Sequence, residues 1–107
     1  MGYVSLKHER VVPGQIIKTV AAAATPEAIT DTPVYFSYAH FIGNKAARTG
    51  NTGTVYLGVT SGNDTQPIAI ATGATFTLSA PGGIKLDFHD FYIDVVTNGD
   101  GLVIIYA

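Results

Sequence analysis

At 107 residues, with six lysines and arginines against eight carboxylates and a formal net charge of −2, the chain has room for one domain and lacks the basic footprint that nucleic acid demands. It contains no cysteine, which excludes disulfides and thiol nucleophiles, and no apolar run approaches the ~20 residues of a membrane-spanning helix. Charged residues make up only 13% of the chain, about half the usual share, so much of the surface falls to Thr, Ser, Asn, Gly and Ala, which suits a protein that docks on a neighbour.

Residues 1–14 read as an N-terminal arm. Tyr3, Val4 and Leu6 would form a short apolar edge, followed by the charged run Lys7 to Arg10 and a Pro13-Gly14 turn. Such an arm is either ordered by a partner or adds a first strand to the sheet. The charged run interrupts any secretory h-region, and Leu6 stands where a myristoylation motif has Ser or Thr, so cytoplasmic synthesis without targeting is expected.

Gln15 to Ala24 mixes alanine with the β-branched Ile16, Ile17, Thr19 and Val20, and Pro26 ends it. It is too short for an isolated helix and is expected as a strand. Thr25-Pro26-Glu27 suits one helical turn, with Thr25 as N-cap. Val34 to Ile42 carries Tyr35, Phe36, Tyr38 and Phe41, which predicts a single strand covered on both faces. Gly43 to Gly53 follows as a long polar loop holding Lys45 and Arg48. Asn51 and Gly53, residues that tolerate positive φ, then lead into the strand formers Val55-Tyr56-Leu57-Gly58.

From Val55 onward apolar and polar residues alternate. Val55, Leu57 and Val59 form one set; Ile68 and Ile70 a second; Ala74, Phe76 and Leu78 a third; Ile84, Leu86 and Phe88 a fourth. Turn residues separate them at Ser61–Asp64, Thr72-Gly73 and Pro81–Gly83. Phe91 to Val96 and Leu102 to Tyr106 close the chain, joined by Thr97-Asn98-Gly99-Asp100-Gly101, which predicts a hairpin. Leu102 to Tyr106 is apolar on both faces and is expected as a central strand covered by a loop, the arm or another subunit. The fold class expected is all-β: a single antiparallel β-sandwich, jelly-roll-like, of seven or eight short strands over residues 1–107.

The sequence offers little catalytic chemistry. Asp87, His89, Asp90 and Asp94 are its densest ionisable cluster, and Asp87 and His89 would share a strand face, but a solvated face and turn explain them better than a metal site. Asn63-Asp64-Thr65 lacks the spacing of a calcium loop. His8, His40 and His89 share no ligand spacing, and Gly50–Gly53 precedes a strand where a phosphate-binding loop would open a helix. No cofactor and no enzymatic activity are expected. Tyr35, Tyr56 and Tyr92 could stack a sugar if two of them lay coplanar on an exposed face. Lys45 and Arg48 could pair with carboxylates on a docking surface.

Five motifs in order carry a family resemblance: Lys18-Thr19-Val20, Thr25-Pro26-Glu27-Ala28, Asn51 to Gly58, Pro81-Gly82-Gly83, and Tyr92 to Val95 with Gly99-Asp100-Gly101-Leu102. Together they span residues 18–106 and resemble small virion structural proteins of tailed bacteriophages. The resemblance implies a non-enzymatic β-sandwich on the virion. Its leading role would be a capsid decoration or cement protein bound between major capsid subunits; the alternatives are a tail, neck or fibre component, or a carbohydrate-binding module. Expected partners are the major capsid protein or other virion proteins, with neither nucleic acid nor membrane. A homo-oligomer is expected from the low charge, and the trimer is favoured by the family. Candidate partner contacts are Tyr3, Val4 and Leu6 on the arm and Lys45 and Arg48 on the loop.

Overall fold

The computed structural model describes residues 12–61 and 66–107. The candidate contacts Tyr3, Val4 and Leu6, and the turn residues Asn63, Asp64 and Thr65, lie outside the described residues. Among those described, the secondary structure is β-strand with one 3-10 turn. The strands are β1 (Gly14–Thr19), β2 (Glu27–Ala28), β3 (Tyr35–Phe36), β4 (Tyr38–Ile42), β5 (Asn44–Ala46), β6 (Thr49–Gly50), β7 (Val55–Gly58), β8 (Ile68–Ile70), β9 (Thr75–Ser79), β10 (Leu86–Asp87), β11 (Tyr92–Val95) and β12 (Gly101–Tyr106). The all-β, antiparallel expectation holds, in several small sheets. Two have four strands, in the orders β1-β12-β4-β9 and β2-β11-β7-β8; β10-β3 and β5-β6 are two-stranded.

Both four-stranded sheets feed one core. Phe41, Leu102 and Ile104 come from the first, and Val55, Leu57, Ile70, Ile93 and Val95 from the second. Phe88 ties the small β10-β3 sheet to them. Its ring stacks on Phe36 at a centroid distance of 3.9 Å and meets Tyr106 edge-on at 5.0 Å, the latter a favoured aromatic geometry. Lys18 also reaches from β1 to Glu27 on β2, with Nζ 2.8 Å from Oε1. At partial exposure that pair adds at most about 1 kcal/mol.

Several segments differ from expectation. Glu27–Ala28 is a strand paired with Tyr92-Ile93 of β11, not a helical turn, and Ile29 N–H extends the contact to Phe91 O at 2.9 Å. Sheet pairing supplies more partners there than a lone helical turn would. Gln15–Ala24 is strand only to Thr19; Val20 leaves the sheet and Ala24 takes a left-handed φ of 61°. Ile84 to Phe88 is strand only at Leu86-Asp87, because Asp87 Oδ1 accepts from His89 N–H at 2.9 Å and caps the 3-10 turn Phe88–Asp90. Ile84 is correspondingly exposed.

The fourth difference is at Ser37, which splits the expected strand Val34–Ile42. Ser37 and Tyr38 both donate N–H to Ala107 O, and Ser37 O accepts from Ala80 N–H. The break shifts the side-chain alternation by one, so Phe36, Ala39 and Phe41 all face the core while Tyr35 and Tyr38 face out. The expected cover on both faces is therefore absent at the two tyrosines.

The final strand pair is corrected in its partner. β12 is central, as expected, but it pairs with β1 and β4, while β11 pairs with β2 and β7. Thr97–Asp100 carries the chain from one sheet to the other. Asp100 N–H donates to Thr97 O at 3.2 Å, and in that turn Gly99 has φ 88° while Asn98 is not in the positive-φ region. A tight hairpin of type I′ needs positive φ at both central residues; positive φ at the second alone gives a type II turn, whose twist splays the flanking strands.

Within β12, Ile104 is fully buried and faces the core, whereas Ile105, next to it, is half-buried on the outer face. Ile104→Ala should destabilise by about 2–5 kcal/mol, and Ile105→Ala by clearly less. Urea denaturation of both variants checks this ordering.

Candidate functional site

Two places merit attention as sites: the hairpin carrying the expected contacts, and a pocket that the sequence did not reveal. Gly43 to Gly53 is not an open loop. β5 pairs with β6 with a register shift between Asn44 and Ala46, and β5 also lies against β12 and β1. Lys45 is part-buried on β5, and Arg48 is exposed in the tight turn. The hairpin thus carries both cations, and neither has an ion-pair partner among the described residues.

The base of this hairpin is clamped to the sheet crossover. Asp100 is buried, and its two carboxylate oxygens accept from Thr52 N–H at 2.9 Å and Gly53 N–H at 2.7 Å. Asn51, also buried, donates its amide to Gly101 O at 2.7 Å and accepts from Gly101 N–H at 3.0 Å. Asn51 and Gly53 therefore serve without positive φ: Asn51 through its side chain, and Gly53 through its N–H and its small size. A Cβ on Gly53 would meet Thr97 Oγ1 at 3.1 Å, and one on Gly101 would meet Lys18 O at 1.9 Å.

The pocket lies over the outer face of the second sheet. It measures about 450 Å³ and is lined by Ala23, Ala24, Tyr56, Gln66, Asp94, Val95 and Val96. Asp94 on β11 and Tyr56 on β7 are direct cross-strand partners on the side opposite the core residues Leu57 and Ile93. Gln66 folds over this face because position 58 is glycine; a Cβ there would lie 2.5 Å from Gln66 Oε1 and from Pro67 Cδ. The Gln66 carboxamide accepts from Thr60 N–H at 3.2 Å and donates back to Thr60 O. The opposite wall is held by Ala24 N–H to Val95 O at 3.3 Å and Ala23 N–H to Asn98 Oδ1 at 2.7 Å.

These walls leave Asp94 only 5% exposed although it sits on an outward strand face. Its Oδ1 accepts from Val95 N–H at 2.9 Å. Among the described residues, no side-chain polar atom sealed from solvent lacks a partner. The second Asp94 oxygen, with no partner among the described residues, is therefore not sealed from solvent, and Asp94 lines the pocket.

The ionisable cluster of the sequence does not converge. Asp87 is occupied by Val34 N–H at 3.0 Å and His89 N–H, His89 and Asp90 are exposed, and Asp94 lies in the pocket. Among the described residues, no group of three or more His, Asp or Glu side chains could hold a metal ion. His40 pairs with Thr77 Oγ1 at 3.0 Å on the first sheet. Of the tyrosines considered for stacking, Tyr35 is exposed on β3, while Tyr56 and Tyr92 share the outer face of the second sheet and are part-buried.

Two substitutions probe this architecture. Asp100→Ala leaves two part-buried N–H groups without their acceptor and should cost about 1–3 kcal/mol, read as a fall in the denaturation midpoint. Ala24→Gly relieves a left-handed alanine, a conformation costing roughly 1–2 kcal/mol, against a flexibility cost of about 0.5–1 kcal/mol. It should raise stability slightly or leave it unchanged, and a thermal melt decides the sign. No protein-family model, curated protein or solved structure matches this chain.

Proposed function

We propose that this chain is a non-enzymatic structural protein of a tailed-phage virion, acting foremost as a capsid decoration protein between major capsid subunits. The observation that carries the reading is the surface. Large apolar side chains stand exposed on it, among them Ile17, Tyr35, Tyr38, Val59, Ile84 and Val96, in a chain with only 13% charged residues. Contiguous exposed apolar area marks contact surfaces, and we take these side chains as parts of such contacts. The ordered motifs of residues 18–106 support the same reading. In it the two four-stranded sheets are the layers of one jelly-roll-like sandwich, copies of the chain associate as a homotrimer, and a tail, neck or fibre position is the second role. Closed symmetry is the usual form of such assembly.

Lys45 and Arg48, without an ion-pair partner among the described residues, supply positive charge for a neighbour's carboxylates, and Tyr3, Val4 and Leu6, apolar or aromatic in the sequence, supply a second contact. The reading is tested by adding the full chain to capsids that lack it. Saturable binding at gaps between capsomers, visible by electron microscopy, is expected; deletion of residues 2–12 or the double change Lys45→Glu, Arg48→Glu should weaken it at least ~10-fold, a loss of about 1.4 kcal/mol or more. Copies confined to one vertex would assign the chain to the neck or tail. Full binding by both variants would remove the arm and hairpin as contacts.

A further inference from the structure

We infer that the pocket on the outer face of the second sheet is a receptor for an arginine side chain presented by another protein. This goes beyond the virion reading, because the chemistry of the pocket is the same whichever protein supplies the guanidinium.

The central observation is Asp94. A strand residue facing away from the core is ordinarily hydrated, yet this carboxylate is 5% exposed, enclosed by the Ala23-Ala24 segment on one side and Tyr56 and Gln66 on the other. One oxygen is held by Val95 N–H, which fixes the carboxylate's direction, and the other has no partner among the described residues and is not sealed from solvent. No cation in the described chain answers it: the one ion pair among the described residues joins Lys18 to Glu27. An acid largely withdrawn from water is costly unless a cation or strong donor compensates it. In this inference the partner is a positive donor from outside the described residues.

The remaining walls select the kind of cation. Tyr56, opposite Asp94 across the ladder, stands within about 4.5–5.5 Å at Cβ, so a planar cation can lie on the ring while its edge reaches the carboxylate. Guanidinium combines stacking on an aromatic face with directed hydrogen bonds to a carboxylate, and it sheds water more readily than ammonium. Ala23, Ala24, Val95 and Val96 suit the methylene stem. The Gln66 carboxamide is engaged with Thr60 and acts as a wall. At about 450 Å³ the pocket lies within the range of small-ligand sites and accommodates one long side chain. The left-handed Ala24 at the rim fits a wall held in place for a purpose, since backbone strain of this sort gathers at binding sites.

The experiment titrates isotopically labelled full chain with N-acetyl-arginine amide and follows backbone amide signals. Saturable shifts centred on Ala24, Tyr56, Val95 and Val96 are expected, with weaker saturation by N-acetyl-lysine amide and none by methyl glucoside. Asp94→Asn, nearly the same shape, should weaken arginine binding at least ~10-fold, as loss of a charge-assisted hydrogen bond requires. Val96→Lys, at an exposed rim position where folding is not at stake, should weaken it several-fold by placing a competing charge at the mouth. Absence of saturable shifts with the arginine probe, undiminished binding by both variants, or saturation by methyl glucoside in its place would each overturn the inference.

Discussion

The fold depends on one buried corner, where Asn51-Thr52-Gly53 meets Asp100-Gly101. Thr97–Asp100 takes the chain out of one four-stranded sheet and into the other, and a crossover of this kind leaves backbone groups with no ladder to join. Asp100 receives the N–H groups of Thr52 and Gly53, and the Asn51 carboxamide pairs with both polar groups of Gly101 as a neighbouring strand would. Val20 completes the corner, donating N–H to Asp100 O and accepting from Gly99 N–H. Buried backbone groups are almost always paired, and here two side chains do much of the pairing. Gly101 is required because the Lys18 carbonyl occupies the space a Cβ would need.

Much of what surrounds this corner follows from it. The clamp fixes the base of the β5-β6 hairpin and so sets where Lys45 and Arg48 stand. It sends β11 and β12 into separate sheets, which places Ile93 and Ile104 on opposite sides of a shared core. It also positions Val20–Ala24, held at Asn98 and Val95, as one wall of the Asp94 pocket. The same device recurs at smaller scale in Gln66, whose amide pairs with the backbone N–H and C=O of Thr60. A chain with few charges and no disulfide thus uses buried amides and one carboxylate to join its sheets.

The strands were legible where alternation was clean: β7, β8 and β9 overlap the runs Val55 to Val59, Ile68 to Ile70 and Ala74 to Leu78, although Val59 falls beyond β7 and is exposed. Legibility failed where a side chain competed with the sheet. Asp87 reads as the polar face of a strand, but its carboxylate reaches His89 N–H and turns the chain. Asn98-Gly99 reads as a hairpin, and only the backbone angle at Asn98 separates a type I′ turn from the type II turn observed. The importance of Asn51 was visible as a turn residue, while its bond to Gly101, fifty positions away, has no local signature. The pocket was hidden for the same reason. Asp94 and Tyr56 alternate as solvent-facing residues, and what covers them is set by Gly58, Gln66 and the bend at Ala24, which no period in the sequence joins.

The direct measurement of this account is native-state hydrogen exchange at the corner. Thr52, Gly53 and Gly101 N–H groups should exchange only through global unfolding, with the same free energy of opening as Ile104 and Leu57 in the core. Exchange at those three amides orders of magnitude faster than at Ile104 and Leu57 would mean that the corner opens while the sheets stay intact, and would contradict the claim that the sheets depend on it.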